Sequence, residues 1–206
     1  MSSRVFEAVV IANGTFPTRA EVIEIVRTAP MVVCCDGAAD DFISRGGVPD
    51  VIIGDMDSLS EGNRLRYADI IVRNPDQETN DQTKAIEYLL SKGIKRIAIV
   101  GATGKREDHT IANIALTAEY MAMGAEVVSY TDSGCFIPCR DNKTLQCSPN
   151  AQVSIFNINA TALRSEGLDY PIYDFTALWQ GTLNCCRSGE FTISAQGDYI
   201  VFITAV

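Results

Sequence analysis

The sequence predicts an α/β chain: a doubly wound, mostly parallel sheet at the N-terminus, followed by a small antiparallel β-sandwich. Three observations carry this. Short, continuously apolar runs alternate with segments of helical periodicity, the signature of a parallel sheet covered on both faces. Each run ends in a polar, glycine-containing or acidic exit. After about residue 132 the pattern changes to short alternating segments broken by turn signals, with no long helical stretch between them.

Arg4 to Ala12 is rich in β-branched residues and stops at the turn pair Asn13-Gly14, so it reads as the first strand. Thr18 is placed to cap a helix carrying Val22, Ile23, Ile25 and Val26, which Thr28-Ala29-Pro30 ends. Met31 to Cys35 is the second strand; it leads to Asp36-Gly37-Ala38-Ala39 and a short helix through Phe42 and Ile43 to Gly46-Gly47. Val51 to Ile53 is the third strand, and Asp69 to Val72 the fourth. Thr79 or Asn80 caps the next helix, with Asp81 in its first turn and Ala85, Ile86, Leu89 and Leu90 on its apolar stripe. Ile97 to Val100 is the fifth strand. The loop Gly101 to Arg106 follows, then a helix bearing Ile111, Ile114, Ala115, Ala118 and Met121, and a sixth strand from Val127 to Tyr130. Val153 to Phe156, Phe191 to Ser194 and Tyr199 to Ile203 are strands of the second part. We place the domains at 1–135 and 136–206.

The chain has 206 residues, 47% hydrophobic and 21% charged, which suits a globular protein with a core of ordinary size. Its net charge of -9, from 26 acidic against 17 basic residues, disfavours binding to nucleic acid or to an anionic membrane, which needs clustered Lys and Arg. No apolar run approaches the roughly 18 residues of a membrane span, and the N-terminus lacks a signal-peptide pattern. Seven cysteines, with adjacent pairs at Cys34/Cys35 and Cys185/Cys186, do not form a secreted disulfide framework. Free thiols in a cytoplasmic protein are the expectation. Cys135, Cys139 and Cys147 contain no C-x-x-C zinc pair.

In open parallel sheets ligands bind beyond the carboxyl ends of the strands. Asp36, the pair Asp55/Asp57, Asp76 to Asp81 and Thr103 to His109 all follow strands, so four loops converge on one edge. Two carboxylates two residues apart on extended backbone point the same way, with Cα atoms about 6.5 Å apart. Asp55 and Asp57, helped by Asp81 or Glu78, therefore suit Mg²⁺, a hard cation usually held by one or two carboxylates and substrate phosphates. Lys84, one helical turn beyond Asp81, can pair with it or reach a phosphate. Gly101 to Arg106 supplies backbone N–H groups and two cations before a helix start, an anion site. There is no G-x-x-x-x-G-K-[ST]. These parts suit phosphoryl or pyrophosphoryl transfer, where catalysis is mostly positioning and electrostatics. Each residue also has a plainer reading: Asp36 as an N-cap, Asp108 as a first-turn acid, Lys84 and Arg106 as solvated charges, and His109, the one histidine, as a capping or nucleotide-contacting residue as well as a proton carrier.

Four ordered motifs resemble those of the thiamine pyrophosphokinase family over nearly the whole chain. Cys35-Asp36-Gly37-Ala38-Ala39 resembles A-D-G-G-A. Pro49 to Ser58 resembles P-D-x-I-x-G-D-x-D-S, Glu78 to Ala85 resembles D-x-T-D-x-x-K-A, and Gly101 to Asn113 resembles G-A-x-G-G-R-x-D-H-x-x-A-N. The resemblance implies transfer of the pyrophosphoryl group of Mg²⁺-bound ATP to the hydroxyethyl oxygen of thiamine, giving thiamine diphosphate and AMP. By position, Asp55, Asp57 and Asp81 hold the metal and help activate the hydroxyl. Asp36, Gly37, Ser58, Lys84, Arg106, Asp108, His109 and Thr110 line the nucleotide site. The resemblance further implies a homodimer with thiamine bound near the subunit interface, the second domain serving thiamine binding and dimerisation. There Ser165 to Pro171 resembles T-x-G-L-x-Y-P, and Ser165 and Asn184 are the implied thiamine contacts. Glu78 and Asn80 stand where the family often has Asp and Thr, and Thr182-Leu183-Asn184 where a Ser-Asn pair is usual, so Leu183 lacks a serine hydroxyl. Two rivals remain: a haloacid-dehalogenase-type phosphatase with Asp55 as nucleophile, and a nucleotide- or thiamine-binding sensor without turnover.

Overall fold

The computed structural model describes residues 5–205; Arg4, the first residue of the predicted opening strand, and the outer ends of the two predicted domains lie outside the described residues. The chain divides into two compact units between Asp132 and Ser133.

The first unit runs β1 (Ala8–Ile11), α1 (Ala20–Thr28), β2 (Val32–Cys35), α2 (Ala38–Ser44), β3 (Val51–Gly54), α3 (Glu61–Arg66), β4 (Ile71–Arg73), α4 (Asp81–Ser91), β5 (Arg96–Val100), α5 (Glu107–Ala122) and β6 (Glu126–Thr131). Its strands lie in the order β6-β5-β1-β2-β3-β4, every neighbouring pair parallel. The chain thus winds outward from β1 to β4, then crosses back to β5 and β6. That reversal makes a topological switch point between β1 and β5, where open α/β sheets bind ligands. Every residue of β1, β2 and β3 is buried, which is why these strands are apolar without alternation. Val10, Val33, Ile53, Ile97 and Ile99 from the sheet, Ile86 and Leu89 from α4, and Tyr120 from α5 share one core.

Several local expectations are corrected. Thr18 does not cap α1: the N-cap is Arg19, without a side-chain bond, and the Thr18 hydroxyl instead donates to Asp132 Oδ2 at 2.7 Å. The predicted fourth strand begins as a 3-10 turn, Ala68–Ile70. Helix α3 itself buries no residue and so leaves no apolar stripe to read. On α5, Ile111 is 66% exposed and the buried residues are Thr117, Ala118 and Tyr120. The Tyr120 hydroxyl turns that face inward by pairing with Thr83 Oγ1 at 2.8 Å.

The second unit contains β7 (Gly134–Arg140), β8 (Lys143–Gln146), β9 (Ala151–Asn157), β10 (Thr161–Glu166), β11 (Asn184–Cys186), β12 (Glu190–Gln196) and β13 (Asp198–Thr204). They form two antiparallel sheets, β11-β9-β13-β7 and β10-β12-β8. Alternate side chains are buried on β9 (Val153 and Ile155) and β12 (Phe191 and Ile193), the pattern of a two-layer sandwich. β7 and β13 depart from it, with Ile137 to Cys139 and Tyr199 to Val201 buried in succession. No helix of the described residues is long and apolar enough to cross a membrane.

Candidate active site

The polar exit of β3 is built so that its carboxylates share a small volume. A Cβ on Gly54 would lie 2.9 Å from Asp36 Cβ and 3.1 Å from Asp81 Oδ2, so only glycine lets the exits of β2 and β3 and the start of α4 crowd together. Asp55 Oδ1 accepts from the Asp57 N–H at 3.2 Å, and Asp55 Oδ2 from Gln77 Nε2 at 3.0 Å. The Gln77 bond is the chief reason the Asp55 carboxyl lies below its usual range. Ser58 Oγ donates to Asp57 Oδ1 at 2.8 Å.

Asp36 follows β2 with φ +36°, a conformation rare for a non-glycine residue. It does not cap α2, whose N-cap is Gly37; its Oδ2 accepts from the Ser58 N–H at 3.1 Å. Its Oδ1 is buried and has no hydrogen-bond partner among the described residues. Burial pushes the Asp36 carboxyl up to about 6, with the neighbouring Asp57 and Asp81 adding to the shift and the Ser58 bond opposing it. Carboxylate oxygens of Asp36, Asp55 and Asp57 lie within 4.8 Å of one another. Three hard oxygen donors, one with an unsatisfied buried atom, fit a divalent cation such as Mg²⁺.

Asp81 opens α4 beside this cluster. Asn80 is the N-cap, its side chain accepting from the Thr83 N–H at 2.9 Å. Lys84 Nζ donates to Asp81 Oδ1 at 3.0 Å. With its side chain only 3% exposed, Lys84 is not a solvated charge. Its ammonium faces the cluster as a fixed counter-charge.

The opposite wall comes from the two loops at the switch point. Gly14 N–H donates to Gly101 O at 2.6 Å and Thr15 N–H to Thr103 O at 2.7 Å, zipping the exit of β1 to that of β5. A Cβ on Gly14 would collide with the carbonyl oxygens of Gly101 and Thr103, so this contact requires glycine. Across the zipper Lys105 Nζ donates to Asn13 Oδ1 at 3.1 Å. Arg106 closes as a fork on Asp108, at 3.1 and 2.6 Å, and this guanidinium holds the Asp108 carboxyl below its usual range. Asn113 Nδ2 donates to Ala102 O at 2.9 Å, and Asn80 Nδ2 to Asn113 Oδ1 at 3.0 Å, tying α4 to α5.

Between these walls lies a cleft of about 490 Å³. Of the residues expected from sequence, Asp36, Asp55, Asp57, Ser58, Asp81 and Lys84 line one side, and Arg106, His109 and Thr110 the other. Gly37 and Asp108 are not among the lining residues: a Cβ on Gly37 would meet Asn13 Nδ2 at 3.0 Å, and Asp108 is paired with Arg106. The cleft also takes in Asn13, Gln77, Gln82 and Lys105, which sequence reasoning did not single out individually. Only Asn13, in a turn pair, and Lys105, in the basic loop, carried a signal. Glu78 stays outside.

In the second unit Asn184 is buried and spends its amide on backbone: Oδ1 accepts from the N–H groups of Tyr170 at 3.1 Å and Cys185 at 2.9 Å, and Nδ2 donates to Tyr170 O at 2.8 Å. It pins the Tyr170-Pro171 segment. Ser165 lies on β10, its Oγ buried with no partner among the described residues. In the same unit Tyr170, Leu178, Trp179 and Leu183 are exposed.

Residues 22–129 match the family model described as thiamin pyrophosphokinase, catalytic domain, and residues 134–202 match that described as thiamin pyrophosphokinase, substrate-binding domain. A curated relative, thiamine pyrophosphokinase 1 of Oryza sativa subsp. japonica, is 30% identical over 132 residues, 52% of this chain and 49% of the rice protein. The match therefore spans about half of that relative. Among solved structures, a thiamine pyrophosphokinase from Bacillus subtilis superposes with a TM-score of 0.79 over 96% of this chain and 99% of its own, at 18% identity. The thiamin pyrophosphokinase from Candida albicans does so with 0.78 over 100% and 95%, also at 18% identity. At these identities the structures share the fold.

Proposed function

Because the chain belongs to the thiamin pyrophosphokinase family, we propose that it transfers the pyrophosphoryl group of Mg²⁺-bound ATP to the hydroxyethyl oxygen of thiamine, releasing AMP and thiamine diphosphate. In this reaction the thiamine oxygen bonds to the β-phosphorus, the bond from that phosphorus to the α,β-bridging oxygen breaks, and the hydroxyl proton leaves. One observation carries the reading: a single cleft at the carboxyl ends of β1 to β5 sets the Asp36, Asp55 and Asp57 cluster against a glycine-rich loop bearing Lys105 and Arg106. Acids alone repel a polyphosphate and cations alone do not place it. Together, with a metal between, they define its direction across the cleft.

Asp55 and Asp57 would hold Mg²⁺ with Asp36 or Asp81, supplying charge neutralisation at the phosphate oxygens. Lys84 limits the surplus of negative charge around Asp81. Lys105 has a neutral amide as its hydrogen-bond partner among the described residues, so its charge is available to phosphate, whereas Arg106 is closed on Asp108 until a stronger anion draws it away. His109 and Thr110, at the start of α5, line the nucleotide side. Thiamine is the proposed ligand of the second unit, with the Tyr170 segment pinned by Asn184 as part of its site, and the enzyme works as a cytoplasmic homodimer.

The test is AMP formation from Mg²⁺, ATP and thiamine together. We expect AMP and thiamine diphosphate in equal amounts, and neither without thiamine. Release of ADP, or nucleotide loss independent of thiamine, overturns the proposal; hydrolysis of an aryl phosphate would favour the phosphatase reading, and binding without turnover the sensor reading.

A further inference from the structure

We propose that Arg64 is a positioning residue for the metal site, a clamp from α3 that fixes the backbone between Asp55 and Asp57. The inference rests on the reading in which those carboxylates hold the cation.

Met56, between the two acids, has φ +70°, a left-handed conformation that a residue with a long side chain seldom holds without support from its surroundings. Two apolar anchors lie beneath the loop, with Met56 5% and Leu59 3% exposed. Arg64 Nη2 donates to the carbonyl of Met56 and, at 3.1 Å, to that of Leu59. The first acceptor is the informative one. The Met56 carbonyl belongs to the same peptide group as the Asp57 N–H, and that N–H donates to Asp55 Oδ1 at 3.2 Å. Rotating this one peptide moves Asp57 through its Cα and releases Asp55 from its internal bond. Holding the carbonyl therefore holds both carboxylates.

A clamp needs a fixed base, and α3 has no buried residue to supply one. It is held by polar contacts. Ser60 caps it, and Asp40 of α2 accepts from Ser60 N at 2.8 Å, Ser60 Oγ at 2.7 Å and Asn63 Nδ2 at 2.6 Å. The linkage runs from α2 through α3 and the guanidinium to the Asp57 peptide. Both bonds leave one nitrogen, Nη2, whose two N–H directions the planar guanidinium fixes, whereas an ammonium turns freely at the end of its stem. Arg64 makes no ion pair among the described residues, so carbonyl binding is its main work.

The experiment measures Mn²⁺ binding to the full chain without nucleotide, beside the Mg²⁺ dependence of AMP formation, for wild type, Arg64→Ala and Arg64→Lys, with thermal unfolding as the check on folding. We expect Arg64→Ala to weaken Mn²⁺ binding and to raise the half-saturating Mg²⁺ about tenfold, with KM for ATP at saturating Mg²⁺ unchanged within twofold. Arg64→Lys should recover part of the loss, and Asp40→Asn, which loosens the base of the clamp, should shift the same readout in the same direction. A folded Arg64→Ala with wild-type Mn²⁺ binding overturns the clamp. So does a rise in KM for ATP that saturating metal does not remove, which would make Arg64 a phosphate contact. If Arg64→Ala does not fold, Arg64→Lys and Asp40→Asn decide the matter, and wild-type metal binding in both overturns the clamp. Wild type that binds no Mn²⁺ removes the metal reading of the site itself, an outcome distinct from failure of the clamp.

Discussion

Lys84 Nζ lies 3.0 Å from Asp81 Oδ1, one turn apart on α4, with the lysine side chain 3% and the aspartate 29% exposed. The pair forms the inner wall of the acidic cleft. Replacing Lys84 by Met leaves Asp81 without its counter-charge beside Asp36 and Asp57. A fully buried pair loses about 3–5 kcal/mol when one partner is removed; partial exposure of Asp81 reduces this to about 2 kcal/mol. We expect that loss in chemical denaturation, and a fall in AMP formation of at least about tenfold. Lys84→Arg should not restore activity, since a guanidinium needs more room than this site offers.

Asp57→Asn keeps the Ser58 Oγ contact geometrically possible and removes one negative charge from the cluster. Turnover should drop at least about 10³-fold, because the lost ligand acts where charge develops. Rates near wild type in steady-state assays would exclude Asp57 as a metal ligand.

The cation nearest to free use in the cleft is Lys105, and Asn13 sets where it points. Lys105→Ala should raise KM for ATP about tenfold, the size of one lost charge-assisted hydrogen bond, with KM for thiamine unchanged. Asn13→Asp is the sharper variant: it keeps the position of the ammonium and supplies a carboxylate that occupies it, so it should raise KM for ATP by a similar factor. If Asn13→Asp binds ATP as wild type does, Lys105 is not a phosphate contact.

Much of this was legible in the sequence, for physical reasons that particular residues show. Val9, Val33 and Ile52 sit in strands buried on both faces, so the parallel sheet writes itself as unbroken apolar runs. Asp36, Asp55, Asp57 and Asp81 could be placed together because strand exits in such sheets share one edge. The rest depended on contacts with no local signature. Lys105 and Asn13 are 92 positions apart, and nothing in either loop announces the other. Helix α3 has no sequence signal because its contacts are Ser60, Asn63 and Asp40 rather than an apolar stripe. Arg64 binds backbone carbonyls, which every residue possesses. Lys84 was legible as the partner of Asp81 but not as buried, since burial is set by neighbours from other elements.

Asp132, at the end of β6, holds the start of α1 in the place expected of Thr18. It accepts from Thr18 N at 2.8 Å, Thr18 Oγ1 at 2.7 Å and Arg19 N at 3.0 Å, and the Thr18 hydroxyl is the chief reason its carboxyl lies below the usual range. A lowered folded pKa gives stability that is present above the unfolded value, about 3.9, and is lost as pH falls through the folded one. Asp132→Ala should therefore cost about 1 kcal/mol near pH 7, the size of a lost helix cap. The difference in Tm from wild type should shrink as pH falls below about 4. A difference that persists undiminished at pH 2 would mean that packing, not the carboxylate, is what was lost.

Leu183 has φ +65° and is 72% exposed, so its backbone carries a steric cost without the burial that normally offsets one. Left-handed backbone costs an ordinary residue about 1–2 kcal/mol, and Asn tolerates it better. Leu183→Asn should consequently stabilise the chain by about 0.5–1 kcal/mol, a rise in Tm of about 1–4 °C; glycine would return part of that gain by loosening the unfolded chain. A strained, exposed leucine next to Asn184, which pins the Tyr170 segment, is hard to explain as a packing residue. It is explicable as a ligand-facing one, at the position where the family's motif carries a serine. Leu183→Ser should then change KM for thiamine while leaving KM for ATP within twofold. A rise in Tm for Leu183→Asn with no change in thiamine KM for Leu183→Ser would keep the strain argument and discard the substrate contact. A fall in Tm for Leu183→Asn would show that the leucine makes a contact in the assembled protein that outweighs its backbone cost.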